Sequence, residues 1–500
     1  MGGYFKKRFF WMLGAGTGIF VLPFVLFLIG KYDETYHTIG SSPSGMNISI
    51  YNGQYSRGFS WWTEDSGETE TNLYLSEFVF DEGDLVTAVE VPGDICSAHF
   101  DGTILVRGQS QSVSDLTRWG RLFSISYCNH TVALENLLPA QLYYYALGGN
   151  GEYIFGQFQT DSDNETVIVN FNDFQTSDGE KLHFGGDTLK AALQCTTEPV
   201  DFFAFGGDFT GSFSIENQTY TPIPGWIKSR DSLAEFASGI PMVMAPGNHD
   251  AAGNLFTANN MVSYGGISDN GGYYSFDYNN IHFAVLNSNE FDAEQYMWIQ
   301  KDLAQANARE EIAWIILMLH KGPYTTGDHG FSMENEYIET IGQLASQYHV
   351  DLVLQAHDHT FSKTYPYRWD SAGYTEKEMD DLVINQSSGR ILYNGTEYDC
   401  DPQGTYYVSC GASGHRLGEN TEFALPYGEK SYLNRRCKVA VSEIRLDSKY
   451  ASAGMAASMD LGKCMFGLIK IQGNRMVYEF YAAENGSPVL FDRLAVFKSR

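Results

Sequence analysis

Thr166-Val-Ile-Val-Asn-Phe-Asn-Asp-Phe-Gln175 sets an apolar, β-branched run directly against a polar loop, and the chain repeats this construction four more times. Phe202-Phe-Ala-Phe leads to Gly207-Asp208, and Pro241-Met-Val-Met leads to Gly247-Asn248-His249-Asp250. Ala313-Trp-Ile-Ile-Leu-Met-Leu ends on His320, and Val350-Asp-Leu-Val-Leu runs into His357-Asp358-His359. Continuous apolar strands separated by helical segments predict an α/β sheet buried on both faces. In such sheets the loops at the strand ends converge on one site.

Taken singly, each polar residue has an ordinary reading: an Asp after a strand caps a helix, and a His ending an apolar run sits in the core. The ordered set implies more. Asp173, Asp208, the amide oxygen of Asn248, and His320, His357 and His359 form a mixed oxygen and imidazole donor set. That chemistry suits one or two transition-metal ions better than calcium or a thiolate zinc.

The order of these motifs resembles that of the calcineurin-like metallophosphoesterases, and the flanks resemble the purple acid phosphatase branch. His320-Lys-Gly-Pro-Tyr324 with His329 nine residues on looks like that branch's fourth motif, and His357-Asp-His359 with Tyr365-Pro366 looks like its fifth. The resemblance runs from about residue 45 to the C-terminus. It implies a four-layer αββα metallophosphatase sandwich with two metal ions. Asp208 would bridge them, with Asp173 and His359 on one side and Asn248, His320 and His357 on the other. Gln175 is implied as a weak extra ligand. His249 and His329 would act on the phosphate or the leaving oxygen. The implied reaction is hydrolysis of phosphate monoesters by metal-activated hydroxide at acidic pH. A phosphodiesterase or nucleotide pyrophosphatase, and a catalytically weak surface glycoprotein, are the alternatives.

Three positions depart from the branch. Gly211 stands where the second motif has a tyrosine, Gln175 where the first has Gly, and Ala356 where the fifth has Gly. Without the tyrosine's phenolate, the site is expected to hold ferric iron less firmly and to favour divalent manganese, zinc or iron.

Composition fits an extracytosolic hydrolase. A net charge of −29 argues against nucleic acid as a partner, leaving capture of the phosphate ester to the metals. Lys6-Lys7-Arg8 precede an uncharged run, Phe9 to Gly30, long enough to cross a bilayer, with the basic flank cytosolic. The chain therefore reads as a single-pass membrane protein with a luminal or extracellular body. The alternative is secretion after signal cleavage.

The seven cysteines contain no Cys-x-x-Cys pair, and Cys96–Cys128 is the disulfide preferred on domain grounds. Sequons at Asn47, Asn129, Asn164, Asn217, Asn385, Asn394 and Asn485 suit a glycoprotein.

The expected organisation is a cytosolic tail (1–8), a membrane anchor (9–30), a linker (31–46), an antiparallel β-sandwich (47–160) and the metallophosphoesterase domain (161–500). The sandwich resembles the fibronectin-like domain of plant-type purple acid phosphatases. Helices are expected at Trp226–Ser238, Ala293–Ala308 and Glu336–Tyr348, and 418–459 reads as an irregular insertion.

Overall fold

The computed structural model describes residues 39–499 except 66–69, 94–98, 117–123, 162–164, 177–180, 212, 216–217, 221–222, 251–254, 269, 324–334, 360, 365, 367, 369–388, 415–463 and 485. The expected anchor at 9–30, the insertion at 418–459, Cys96 with its expected pairing, and His329 lie outside the described residues. No helix among the described residues is long and apolar enough to cross a membrane.

All five apolar runs form buried strands. Thr166–Phe171 pairs in parallel with Phe202–Phe205, which pairs in parallel with Met242–Met244. These three occupy one end of an eight-stranded sheet whose opposite edge is Gly389–Tyr393. Trp314–Lys321 and Leu352–Ala356 pair in parallel inside a seven-stranded sheet, between Ile281–Val285 and Tyr406–Cys410.

The two sheets share one core. Ile168, Phe202, Val243 and Ile469 from the first meet Phe283, Ile316, Met318 and Leu354 from the second. The outer face of the seven-stranded sheet buries Leu286, Leu317 and Val353 against Ile299 and Leu303 of helix Ala293–Asn307 and Ile341 and Leu344 of helix Asn335–Gln347. Helix His183–Leu193 packs beside strand Cys464–Gln472 of the other sheet. Both strand faces are thus covered, which explains why these sequences run apolar without alternating.

The first helix of this pair begins and ends where its caps dictate: Asp292 accepts from the Gln295 N–H, and Ala308 closes the C-terminus. The helix expected over Trp226–Ser238 is instead two pieces, Ile223–Asp231 and Ala234–Ala237. Leu233 separates them and carries no side-chain acceptor to cap the second piece.

Residues 44–159 form two sheets over their own core of Phe59, Trp61, Leu73, Val106, Val132, Tyr145 and Phe158. The expected linker ends sooner than residue 46, because strand Ser44–Ser49 begins inside it. Gly45 there has a φ of 60°, and its N–H donates to Asp231 Oδ1 at 2.8 Å.

This sandwich caps the short helix Leu255–Asn259 that follows the Gly247–Asp250 motif. Asn47 Nδ2 and Ser60 Oγ both donate to the Asn259 carbonyl at 2.8 Å, and Asn129 Nδ2 donates to Ala258 O at 2.9 Å. Helix-end carbonyls left without intrahelical partners are thereby satisfied from the neighbouring unit. Two expected glycosylation sites fall with this observation: Asn47 and Asn129 are buried, and their amides are committed to the helix end.

Candidate metal centre

Each motif lies at the C-terminal end of a parallel strand. Asp173 and Asp208 follow the neighbouring strands Thr166–Phe171 and Phe202–Phe205 in one sheet, while His320 and His357 come from the paired strands of the other. The backbone is bent to present them. Asp173, Gln175, Asp208, His357 and His359 all have φ between 51° and 72°, in the left-handed region. Such conformations cost on the order of 1–3 kcal/mol each and persist only where the surroundings enforce them.

The side chains converge in two groups that share Asp208. Asp208, His320 and His357 form one, Asp173, Asp208 and His359 the other, with ligand atoms in each lying within 4.8 Å of one another. His320 Nδ1 donates to the Gly206 carbonyl at 2.9 Å, which selects the tautomer with a bare Nε2. That Nε2 faces Asn248 Oδ1 at 3.1 Å, His357 Nδ1 at 3.1 Å and Asp208 Oδ2 at 3.3 Å. Lone pairs turned on one another repel unless a proton or a metal ion sits among them.

Asp173 makes the same demand. It is fully buried, and neither carboxylate oxygen accepts a hydrogen bond of ordinary geometry. Burial, then the Asp208 charge, push its carboxyl well above the usual range, only partly offset by His320 and the His357 backbone. Asp208 goes the other way: burial would raise it, but His320, His249 and His357 hold it well below the carboxylate range. Burial would likewise lower His320, yet Asp208 and Asp173 push it up to about 9. A buried pair of carboxylates ringed by imidazoles, with unpartnered oxygen atoms, fits divalent cations.

Two flanking residues hold this set. Gln175 Nε2 donates to Asp208 Oδ2 at 2.8 Å, while its Oε1 is buried without a hydrogen bond. The residue expected only as a weak ligand therefore fixes the shared Asp208 carboxylate with its amide nitrogen, leaving one oxygen to offer. Asp250 is fully buried, and its carboxylate accepts from the Phe209, Thr210 and Gly247 N–H groups. Burial, then Asp208, push it up to about 7.

His249 stands beside this set. Its side chain is 25 % exposed, with Nε2 3.9 Å from Asp208 Oδ2. Gly211 is described and supplies no donor, whereas the side chains of Tyr220 and Tyr324 lie outside the described residues.

Sequence reasoning missed the supports. Asn172 Nδ2 reaches Cys410 Sγ at 3.1 Å, and its backbone is bound on both sides by Ser413. Asn289 Nδ2 donates to the carbonyls of Pro246 and Gly247, both at 3.1 Å. Asp250 had a signal, as the last member of the Gly-Asn-His-Asp quartet. The others look like any polar residue after a strand.

Residues 166–361 match the Calcineurin-like phosphoesterase family. Purple acid phosphatase 21 of Arabidopsis thaliana is 24 % identical over 313 residues, covering 59 % of this chain and 61 % of that protein. Acid phosphatase type 7 of Danio rerio is 26 % identical, over 57 % of this chain and 65 % of its own length. The match thus spans less than two thirds of either relative. A purple acid phosphatase from yellow lupin seeds shares the fold, with a TM-score of 0.59 at 15 % identity, over 92 % of this chain and 75 % of that one. The motif residues Asp173, Asp208, Asn248, His320, His357 and His359 all lie inside the segment that matches the calcineurin-like phosphoesterases, and over it the chain is similar to purple acid phosphatases.

Proposed function

We propose that this chain is a metal-dependent phosphatase that hydrolyses phosphate monoesters at a binuclear centre, with an acidic optimum. One observation carries the reading: two largely buried ligand groups that share the single carboxylate of Asp208. Asp173, Asp208 and His359 would hold one ion, and Asp208, Asn248, His320 and His357 the other, with Gln175 Oε1 as the remaining weak donor. When bound, such a pair supplies Lewis-acid charge for the phosphoryl oxygens and an acidified water as nucleophile.

The protein's own groups do the rest. Gln175 and the His249 backbone orient Asp208. The Gly206 carbonyl fixes the His320 tautomer so that Nε2 faces inward. The His249 imidazole, partly open to solvent, donates to a phosphoryl oxygen, and His329 protonates the leaving oxygen; both do so best when charged at mildly acidic pH. With Gly211 in place of a tyrosine, two divalent ions are favoured over ferric iron.

The charged N-terminus, the uncharged run after it and the sequons support a body outside the cytosol, anchored by 9–30.

The test is metal analysis of the purified chain together with turnover of a chromogenic monoester and the matching diester. Two metals and monoester preference are expected, and Asp208→Ala should lose both metal and rate while remaining folded. Preferred diester cleavage would install a phosphodiesterase instead. Full metal occupancy without turnover of either ester would leave a binding protein.

A further inference from the structure

Among the described residues, the eight-stranded sheet ends in an exposed edge. Gly389–Tyr393 is its outermost strand, and all five residues are exposed, including Ile391, Leu392 at 75 % and Tyr393 at 45 %. An edge strand with apolar side chains and unpaired backbone groups invites pairing with another chain unless something blunts it. At the tip of this strand lies a sequon, Asn394-Gly395-Thr396.

The tip is built to point outward. Tyr393 pairs with Thr396, so Asn394 and Gly395 form a two-residue turn, with φ of 48° and 80°. Positive φ at both positions is the type I′ arrangement, for which Asn-Gly is the favoured pair. Asn394 is exposed, and an added Cβ on Gly395 would meet no atom within 4 Å. Asn47 and Asn129 show the contrast, since a sugar on either would break the capping of helix Leu255–Asn259.

We propose that Asn394 carries an N-linked oligosaccharide that shields the exposed sheet edge at Leu392 and Tyr393. The proposal rests on the reading that the body of the chain enters the secretory lumen. In the transfer, Asn394 Nδ2 forms a bond to the anomeric carbon of a lipid-pyrophosphate-linked oligosaccharide. The carbon–oxygen bond to pyrophosphate breaks, the lipid pyrophosphate leaves with the electron pair, and the amide nitrogen gives up one proton. The Arg475 guanidinium, 4.4 Å from the Tyr393 ring centroid, holds that ring in place beside the tip.

The test expresses the full chain twice in a eukaryotic host, once with its own N-terminus and once behind a cleavable secretion signal. The folded, signal-led protein is mapped for glycopeptides. Asn394 should be occupied and Asn47 and Asn129 bare. Asn394→Gln and Thr396→Ala should each remove the same glycan. Each should also increase self-association and the binding of a hydrophobic dye at least two-fold over the glycosylated protein. A bare Asn394 in the signal-led protein overturns the proposal, as does occupancy of Asn47 or Asn129 in the folded fraction. Loss of the glycan with no change in self-association or dye binding overturns the shielding role. Occupancy behind the signal but not behind the native N-terminus refutes the secretory reading while the site stands.

Discussion

Asp208 and Asp250 each hold the other's loop. Asp208 Oδ1 accepts the His249 N–H at 2.8 Å, while Asp250 Oδ1 accepts the N–H groups of Phe209 at 2.9 Å and Thr210 at 3.2 Å. The loops after strands Phe202–Phe205 and Met242–Met244 are therefore cross-braced by two carboxylates, of which only one belongs to the ligand groups. The Arg230 guanidinium, stacked 4.9 Å from the Phe209 ring centroid, adds a buried positive charge that favours ionised Asp250.

Asp250→Ala should therefore weaken metal retention although Asp250 is not a ligand. It leaves three buried N–H groups without acceptors, at about 1–3 kcal/mol each before relaxation. Metal content after gel filtration and the thermal midpoint should both fall. A variant with two retained metals and an unchanged midpoint would remove the brace from the account.

His249→Ala should separate chemistry from metal binding. The backbone N–H that braces Asp208 survives the substitution, so metal stoichiometry should hold while kcat drops by roughly 10²–10⁴. His329→Ala should behave alike. Lost metal in either variant would mean that the imidazole is a ligand.

A second charge cluster, centred on a buried histidine, sets a pH limit on stability away from the site. His282 is 5 % exposed between Asp277 and Asp302, with both ring nitrogens 2.8 Å from carboxylate oxygens. Burial would lower its pKa, but the two carboxylates push it up to about 9. Its contribution is full below the unfolded value near 6.5 and is lost as pH rises through about 9. It amounts to roughly 1–3 kcal/mol, discounted because Asp277 is 40 % exposed. In urea unfolding, His282→Gln should trail the parent protein clearly at pH 6.5 and nearly match it above pH 10. A gap that does not depend on pH would show that the cluster matters through packing alone.

Gly211 makes a spectroscopic prediction. In the family this chain resembles, the tyrosine at that position ligates ferric iron and its charge-transfer band gives the purple colour. The purified, active protein should be colourless with two divalent ions. A strong visible band with stoichiometric ferric iron would mean that another tyrosine reaches the metal.

The sequence by itself determined the strands and the donor set. A strand covered on both faces must be apolar throughout, and the polar residues that close it must lie at its end; both are local facts, legible in Phe202 to Asp208 or Trp314 to His320. The tertiary structure alone decided which polar groups are spent elsewhere. Asn47 and Asn129 carry the same local signature as Asn394, yet two of them cap a helix more than a hundred residues away in the chain and one stands at an open turn. Gln175 reads only as a weak ligand until the fold shows its amide nitrogen bonded to Asp208, and Asp250, Asn172 and Asn289 gain their roles only from loops brought beside them. Burial and hydrogen-bond partnership depend on what packs against a residue, and that partner lies outside any local window of sequence.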